Sequence, residues 1–514
     1  MKSIKLRLVG LFCTALLIGS CTNLDENLKD QWTSKNFPYT TDELNAAVVA
    51  AYSPLYSWNN HGNYFSMQEV STDEAMIPQR GGDWYDGGQP AGIHTHAYAP
   101  NYDFVNNLYN TAFGGVSSCN RLLATPGVSD ANIVAELKVL RAYYYWVLLD
   151  NYGNVPLATE FGVSQGQKTQ SQIYDFIDSE LTTNLAVLKS KLPASYNASY
   201  ARINYYVGQA IAAKLYLNAK VYTGTAQNDK TIAACDAIIN SGLYSLAANY
   251  KSIFSSTNKG STEHIWVIPY DHAYGQGFNL VQMTLHYGSQ QTFQLQQQPW
   301  NGYCSLEDFY NSYDPSDTRR ANNFVTGPQL IFGTANQVQD ASYEKGNTDT
   351  NLNDPDGPGL VFTPHVNQLA PNALRQAGAR LGKYEFAVGS TPNLDNDVPL
   401  YRYSDILLAK AEALFNKNGY ADATGLTLVN QVHARTGLPN FVTMDATTFL
   451  AERGREMAFE SWRRNDLIRF GHYGDAWFGK SADPDNHRNL YPIPLNAITA
   501  AAASGTPLTQ NPGY

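Results

Sequence analysis

Two stretches of this sequence set flat aromatic rings among polar side chains where neither helical nor strand periodicity runs. The first, "GGDWYDGG" from Gly81 to Gly88, places Asp83, Trp84, Tyr85 and Asp86 between glycine pairs; the second, "QQQPWNGYCS", supplies Gln298, Trp300, Asn301, Tyr303 and Cys304. Glycine pairs break regular structure, so these rings either fold back onto a core or are displayed. A sugar ring offers C–H groups on one face and hydroxyls around its rim. A site for it needs an aromatic platform with carboxylates, amides or guanidiniums alongside. Trp84 and Trp300 are the candidate platforms, with Asp83 and Cys304 as neighbours, while Tyr85 and Tyr303 either join them or turn inward to pack. Asp73 in "EVSTDEAMIP" bonds a hydroxyl or caps a turn. Arg375 and Arg380 in "ALRQAGARLGKYE" donate paired hydrogen bonds to a ligand or pair with surface carboxylates.

No residue set is assigned to catalysis. Carboxylates are abundant, but sequence does not show two of them facing each other across a glycosidic bond. "ERGREMAFESWRRNDLIRF" concentrates Glu452, Glu456, Glu460, Arg463 and Arg464 at helical spacings, which predicts i,i+4 ion pairs on a packing helix. His94 and His96 in "GIHTHAY" would share one face of a strand, as an incomplete metal pair or as loop packing. "DTNLNDPDGPG", Asp349 to Gly359, offers oxygen ligands for Ca²⁺ but lacks the glycine and closing glutamate of an EF-hand. No cofactor is expected, and a structural Ca²⁺ would have no motif behind it.

The N-terminus is a targeting segment. Lys2, Lys5 and Arg7 precede an apolar run from Leu8 to Gly19, too short to span a bilayer comfortably. It ends in "LIGSC", which resembles the lipobox of bacterial lipoproteins, so residues 1–20 would be removed and Cys21 acylated, anchoring the chain without spanning the membrane. Asp25 and Glu26 follow where surface-exported lipoproteins carry acidic residues. Loss of the segment leaves Cys119, Cys235 and Cys304, which form no disulfide framework or zinc spacing. It also takes the formal charge from −10 to about −13, which argues against nucleic acid as a partner. Tyrosine (35) outnumbers phenylalanine (21), which predicts many rings at half-wet surfaces.

Positioning falls to helices. "ANIVAELKVLRAYYYWVLLDNYG" carries Leu137, Leu140, Tyr144 and Leu148 at helical spacing, with Asp130 as N-cap and Gly153 as stop. In "INYYVGQAIAAKLYLNAKVYTG" the small residues Gly208, Ala212 and Ala219 permit close helix approach. The stretch Tyr403 to Thr436, turning at Asn418-Gly419 and stopping at Gly437, has the length of one tetratricopeptide unit. The fold expected is mainly α: a tetratricopeptide-like scaffold of helical pairs (approximately 40–58, 103–270 and 397–475) with a large irregular, loop-rich lobe (approximately 59–102 and 271–396).

The chain as a whole resembles the SusD/RagB family of outer-membrane nutrient-binding lipoproteins. The resemblance rests on the lipobox, "ELKVLRAYYYWVLLDNYGNVPL", "SIFSSTNKGSTEHIWVIPYD", "DFYNSYDPSDTRR", "DVPLYRYSDILLAKAEAL", the Glu452–Arg464 region and the terminal "LYPIPLNAI…LTQNPGY", in the family's order. It implies a SusD-like domain over 21–514, built on four tetratricopeptide-like units, with ligand contacts on the two aromatic loops and Asp73 close to the site. It also implies a SusC-like TonB-dependent transporter as partner, and an outer-membrane, lipid-anchored protein facing outward that captures oligosaccharides without chemistry. Alternatives are peptide capture, as in the RagB branch, a surface glycoside hydrolase, and a helical scaffold without a small ligand.

Overall fold

The computed structural model describes residues 41–340 and 357–514. The signal segment 1–20, Cys21, Asp25, Glu26 and residues 349–356 of the oxygen-rich run lie outside the described residues. The longer helices are α1 (Asp103–Leu123), α2 (Ala131–Tyr152), α3 (Gln170–Leu188), α4 (Tyr205–Leu217) and α5 (Asn228–Ile239). After a long irregular stretch come α6 (Tyr403–Asn418), α7 (Ala423–His433), α8 (Ala446–Met457) and α9 (Arg463–Phe470). Each helix packs on the next from α1 to α7, so α5 meets α6 across the intervening irregular chain.

Local sequence explains these helices. The Asp130 carboxylate accepts from the N–H groups of Asn132 (2.9 Å) and Ile133 (3.1 Å) at the start of α2. Gly153, at φ 65°, ends it. Thr169 and Gln172 form a reciprocal capping box on α3. A Cβ at Gly208 would stand 2.4 Å from Leu185, so the absent side chain brings α4 against α3 as its spacing predicts. In α2 almost every residue from Ala135 to Tyr152 is buried, so it is the central helix of the core and not an amphipathic surface helix. Strand β2 (His264–Pro269) pairs antiparallel with β4 (Asp397–Arg402), tying mid-chain to the start of α6. Two short pairs matter for the site: β1 (Ala75–Met76) with β3 (Cys304–Ser305), and Phe324–Val325 with Arg380–Leu381.

Two expectations need correction. Many tyrosines are fully buried, among them Tyr143, Tyr144, Tyr145 and Tyr152. Some of their hydroxyls find partners inside: Tyr144 donates to Ala51 O (2.9 Å) and Tyr152 to Val105 O (2.6 Å), whereas those of Tyr384 and Tyr401 are buried without a partner among the described residues. The Glu452–Arg464 stretch is not one helix. The chain leaves α8 at Met457, takes positive φ at Phe459 and Ser461, and re-enters α9 at Arg463. Its ion pairs mostly reach other elements: Glu456 meets Arg319, Arg402 and Arg435, and Glu460 meets Lys383 and Arg402.

Candidate ligand-binding cleft

The loop around Trp84 is built as a tight turn. Arg80 and Asp83 exchange backbone hydrogen bonds of 3.0 and 3.2 Å, and the Gly81 N–H is held by Pro371 O at 2.9 Å. Trp84 and Asp86 then take positive φ, 62° and 40°, a conformation that costs a non-glycine residue roughly 1–2 kcal/mol. The cost is offset because the indole N–H of Trp84 donates to Trp300 O at 2.6 Å. Its ring also lies on Gly302, where an added Cβ would come within 2.4 Å of ring atoms.

The second loop is laid along the backbone of residues 282–285. Trp300 N–H donates to Gln282 O (2.7 Å), Asn301 to Leu285 O (2.9 Å), and both Gly302 and Tyr303 to Met283 O (2.9 and 2.8 Å). Beneath both loops the buried Arg80 guanidinium donates to the carbonyls of Asn301 (2.9 Å), Leu374 and Ala377 (3.1 Å), joining three segments through one cation.

Between the loops opens a cleft of about 470 Å³ lined by Trp84, Trp300, Asp83 and Asp86, together with His61, Tyr287, Gln298 and Pro299. The two indoles stand 6.4 Å apart and are tilted by 49°. Trp84 is half-buried and Trp300 is 43% exposed. His61 bridges Tyr303 Oη (2.8 Å) and Asp86 Oδ2 (3.0 Å), and meets the Trp84 ring edge-on at 4.9 Å. That hydrogen bond holds the Asp86 carboxyl below its ordinary range. Asp83 accepts from the Tyr287 hydroxyl. Partial burial raises its carboxyl, with Arg80 and Arg375 acting in the opposite sense.

Other predicted contacts fall elsewhere. Tyr85 is 56% exposed but does not line the cleft. Tyr303 is buried beneath it, its hydroxyl shared by Ser66 (2.6 Å) and His61 and its ring edge-on to Trp84. Cys304 is buried in β3, and burial pushes its thiol up. Asp73 is paired with Arg463 through two 2.7 Å bonds and does not reach the cleft. Arg375 and Arg380 are not surface groups. Arg375 donates to Asp340 (3.0 Å), and Arg380 donates to the carbonyls of Thr284 (3.2 Å) and Arg375 (2.8 Å). Guanidiniums suit such buried stitching because their donors fan out in a plane. Sequence reasoning missed His61 and Tyr287. Both sit in aromatic-polar stretches of the expected loop-rich lobe, "WNNHGNYF" and "LHYGSQQTF", but outside the two runs singled out, and the pairing of distant segments brings them to the loops.

His94 and His96 sit at the end of a short helix and just beyond it, not on a strand. All four ring nitrogens are engaged by Val70 O, Phe478 O, Asp483 and Ser71 O, which makes them packing residues. Among the described residues, Asp271, His272 and Asp395 could offer metal ligands within 4.8 Å of one another, but they are largely exposed and His272 already bonds Asp395.

Two sequence runs carry catalytic-motif spacing without its geometry. Gly162–Gly166 reads G-x-S-x-G, but Ser164 lies in the exposed turn between two short strands, not on a strand-to-helix elbow. Gly474–Ser481 reads as a phosphate loop, yet the Lys480 ammonium is turned onto Asp475 O (2.9 Å) and Ser481 O (3.1 Å), and irregular chain, not a helix, runs on from Ser481 to Asn486.

Comparison with known proteins agrees with this architecture. Residues 380–514 match the family model described as the SusD family. The chain is similar to the starch-binding protein SusD of Bacteroides thetaiotaomicron, at 25% identity over 494 residues, covering 88% of this chain and 85% of that protein. Surface glycan-binding protein A from Bacteroides thetaiotaomicron superposes with a TM-score of 0.72 at 23% identity, covering 92% of this chain and 99% of that one. Its complex with laminarihexaose gives 0.70 at 23% identity and the same coverage. Among the described residues no helix is long and apolar enough to cross a membrane.

Proposed function

We propose that this chain, whose residues 380–514 match the SusD family model, is a SusD-like cell-surface lipoprotein that captures an oligosaccharide and delivers it to a SusC-like, TonB-dependent outer-membrane transporter. Cys21 carries the lipid, and the folded domain faces outward. The observation that carries the proposal is the pair of tilted indoles flanked by Asp83 and Asp86 at an open cleft. Sugar faces stack on the rings and their hydroxyls bond the carboxylates. The 49° tilt suits a chain whose consecutive residues turn. Relatives named for binding starch and laminarihexaose support the ligand class. Capture requires no cofactor and no covalent step.

Isothermal titration against neutral hexasaccharides, maltohexaose and laminarihexaose among them, tests this proposal. Wild type binds at least one, and Trp300→Ala weakens that binding by on the order of tenfold, as expected where a few contacts carry most of the affinity. No binding by wild type, or binding unchanged by Trp300→Ala together with Trp84→Ala, overturns it. New reducing ends after incubation with a bound glycan would show a hydrolase instead.

A further inference from the structure

The cleft is charged in one direction only. Asp83 and Asp86 border the two indoles, and among the described residues lining it there is no lysine and no arginine. The nearest guanidiniums are committed below the surface. Arg80 is 4% exposed and bonds backbone carbonyls, and Arg375 is 6% exposed and bonds Asp340. His61, the remaining group able to carry positive charge in the lining, is held between Tyr303 and Asp86. The Tyr287 hydroxyl is already donated to Asp83. The chain's formal charge of −10 adds to the same field.

A hydroxyl-rich neutral sugar matches this lining, because each hydroxyl can donate to a carboxylate while the ring stacks on an indole. A uronate or sulfate brings only acceptor oxygens. It would meet two like charges with no cation to pair with, in a setting where like-charge juxtaposition suppresses wrong partners. We infer that the cleft selects uncharged oligosaccharides and rejects chains that carry carboxylate or sulfate groups on the bound residues. The inference rests on the proposed glycan-capturing function and narrows its ligand.

The test compares each neutral hexasaccharide of the binding panel with its C6-carboxylated counterpart of the same linkage, at pH 7.5, by titration calorimetry. The neutral member is expected to bind at least tenfold more tightly, and the gap is expected to narrow at 0.5 M salt, where screening shortens the reach of the carboxylates. In Asp83→Asn with Asp86→Asn, shown by its thermal melt to be folded, the ratio is expected to move toward the charged ligand by tenfold or more. Equal or tighter binding of the carboxylated member by wild type, abolished by Trp300→Ala, overturns the charge selection and leaves glycan capture standing. An unmoved ratio in the folded double variant overturns it as well. Failure of wild type to bind either member of every pair overturns glycan capture itself.

Discussion

Gly302 lacks a side chain at the spot where Trp84 lies. A Cβ there would fall 2.4 Å from the indole and 2.8 Å from the carbonyl of Met283, so neither side can accommodate it without moving. The indole is the softer of the two, since it hangs on a strained turn and one hydrogen bond to Trp300 O. Gly302→Ala is therefore expected to push the Trp84 ring out of line. Glycan affinity should fall on the order of tenfold, and the melting temperature should fall with it by a few degrees, because Met283 and Tyr303 beside Gly302 belong to the buried core. Titration calorimetry alongside a thermal melt checks both. A variant that keeps wild-type affinity would show that the ring's resting place on Gly302 is irrelevant to the site.

At the scale of elements, α8 and the irregular turn after it act as a hub. Glu456 is fully buried, and the charges of Arg435, Arg402 and Arg319 outweigh its burial to hold the carboxyl well below the ordinary range. Those arginines come from the segment after α7, from β4 and from the short helix Thr318–Asn323, so one carboxylate joins scaffold helices to the loop-rich chain. Glu456→Gln leaves three buried cations short of charge and should destabilise the fold by about 3–5 kcal/mol, read from denaturant unfolding. A loss under 1 kcal/mol would mean the neighbouring Glu452, Glu460 and Glu263 suffice. This hub marks the limit of what the sequence made legible. Helix positions followed from caps, stops and spacing: Asp130, Gly153 and Gly208 act where their types predict. The two tryptophans could be read because their setting is local. The charges of Glu452 to Arg464 looked like neighbours on one helix, since spacing cannot reveal partners far along the chain. Arg375, Arg380 and Asp73 looked available for the same reason, and His61 and Tyr287 stayed hidden because distant segments bring them to the cleft.

For the whole molecule, stability depends on a second buried pair that runs against the hub. Glu69 and Glu74 are 0% and 1% exposed, on the segment that leads from the short helix Tyr64–Glu69 into β1, directly behind the cleft's second loop. They accept the N–H groups of Ser461 (2.6 Å) and Phe459 (3.3 Å), the two positive-φ residues between α8 and α9. Burial raises the Glu69 carboxyl to about 7, with the Ser461 N–H and Glu74 opposing, and raises Glu74 too. The unfolded chain releases such a proton near pH 4.3, so between about pH 4.3 and about 7 the folded state binds more protons. Stability from this group is therefore lost as pH rises through that window. Glu452, lowered to about 2 because Arg319 and His433 outweigh its burial, acts oppositely, losing stability as pH falls below the unfolded value. His94 and His264, lowered to about 4 by burial, also lose stability as pH falls from about 6.5. The contribution of Glu69 is isolated by comparing Glu69→Gln with wild type at each pH. The amide keeps an acceptor for Ser461 and carries no charge. The variant should match or fall slightly below wild type at pH 4.5 and exceed it by on the order of 2 kcal/mol at pH 8. Urea unfolding at both values decides it, and a stability difference that is the same at pH 4.5 and pH 8 would show that the proton on this pair is not linked to folding.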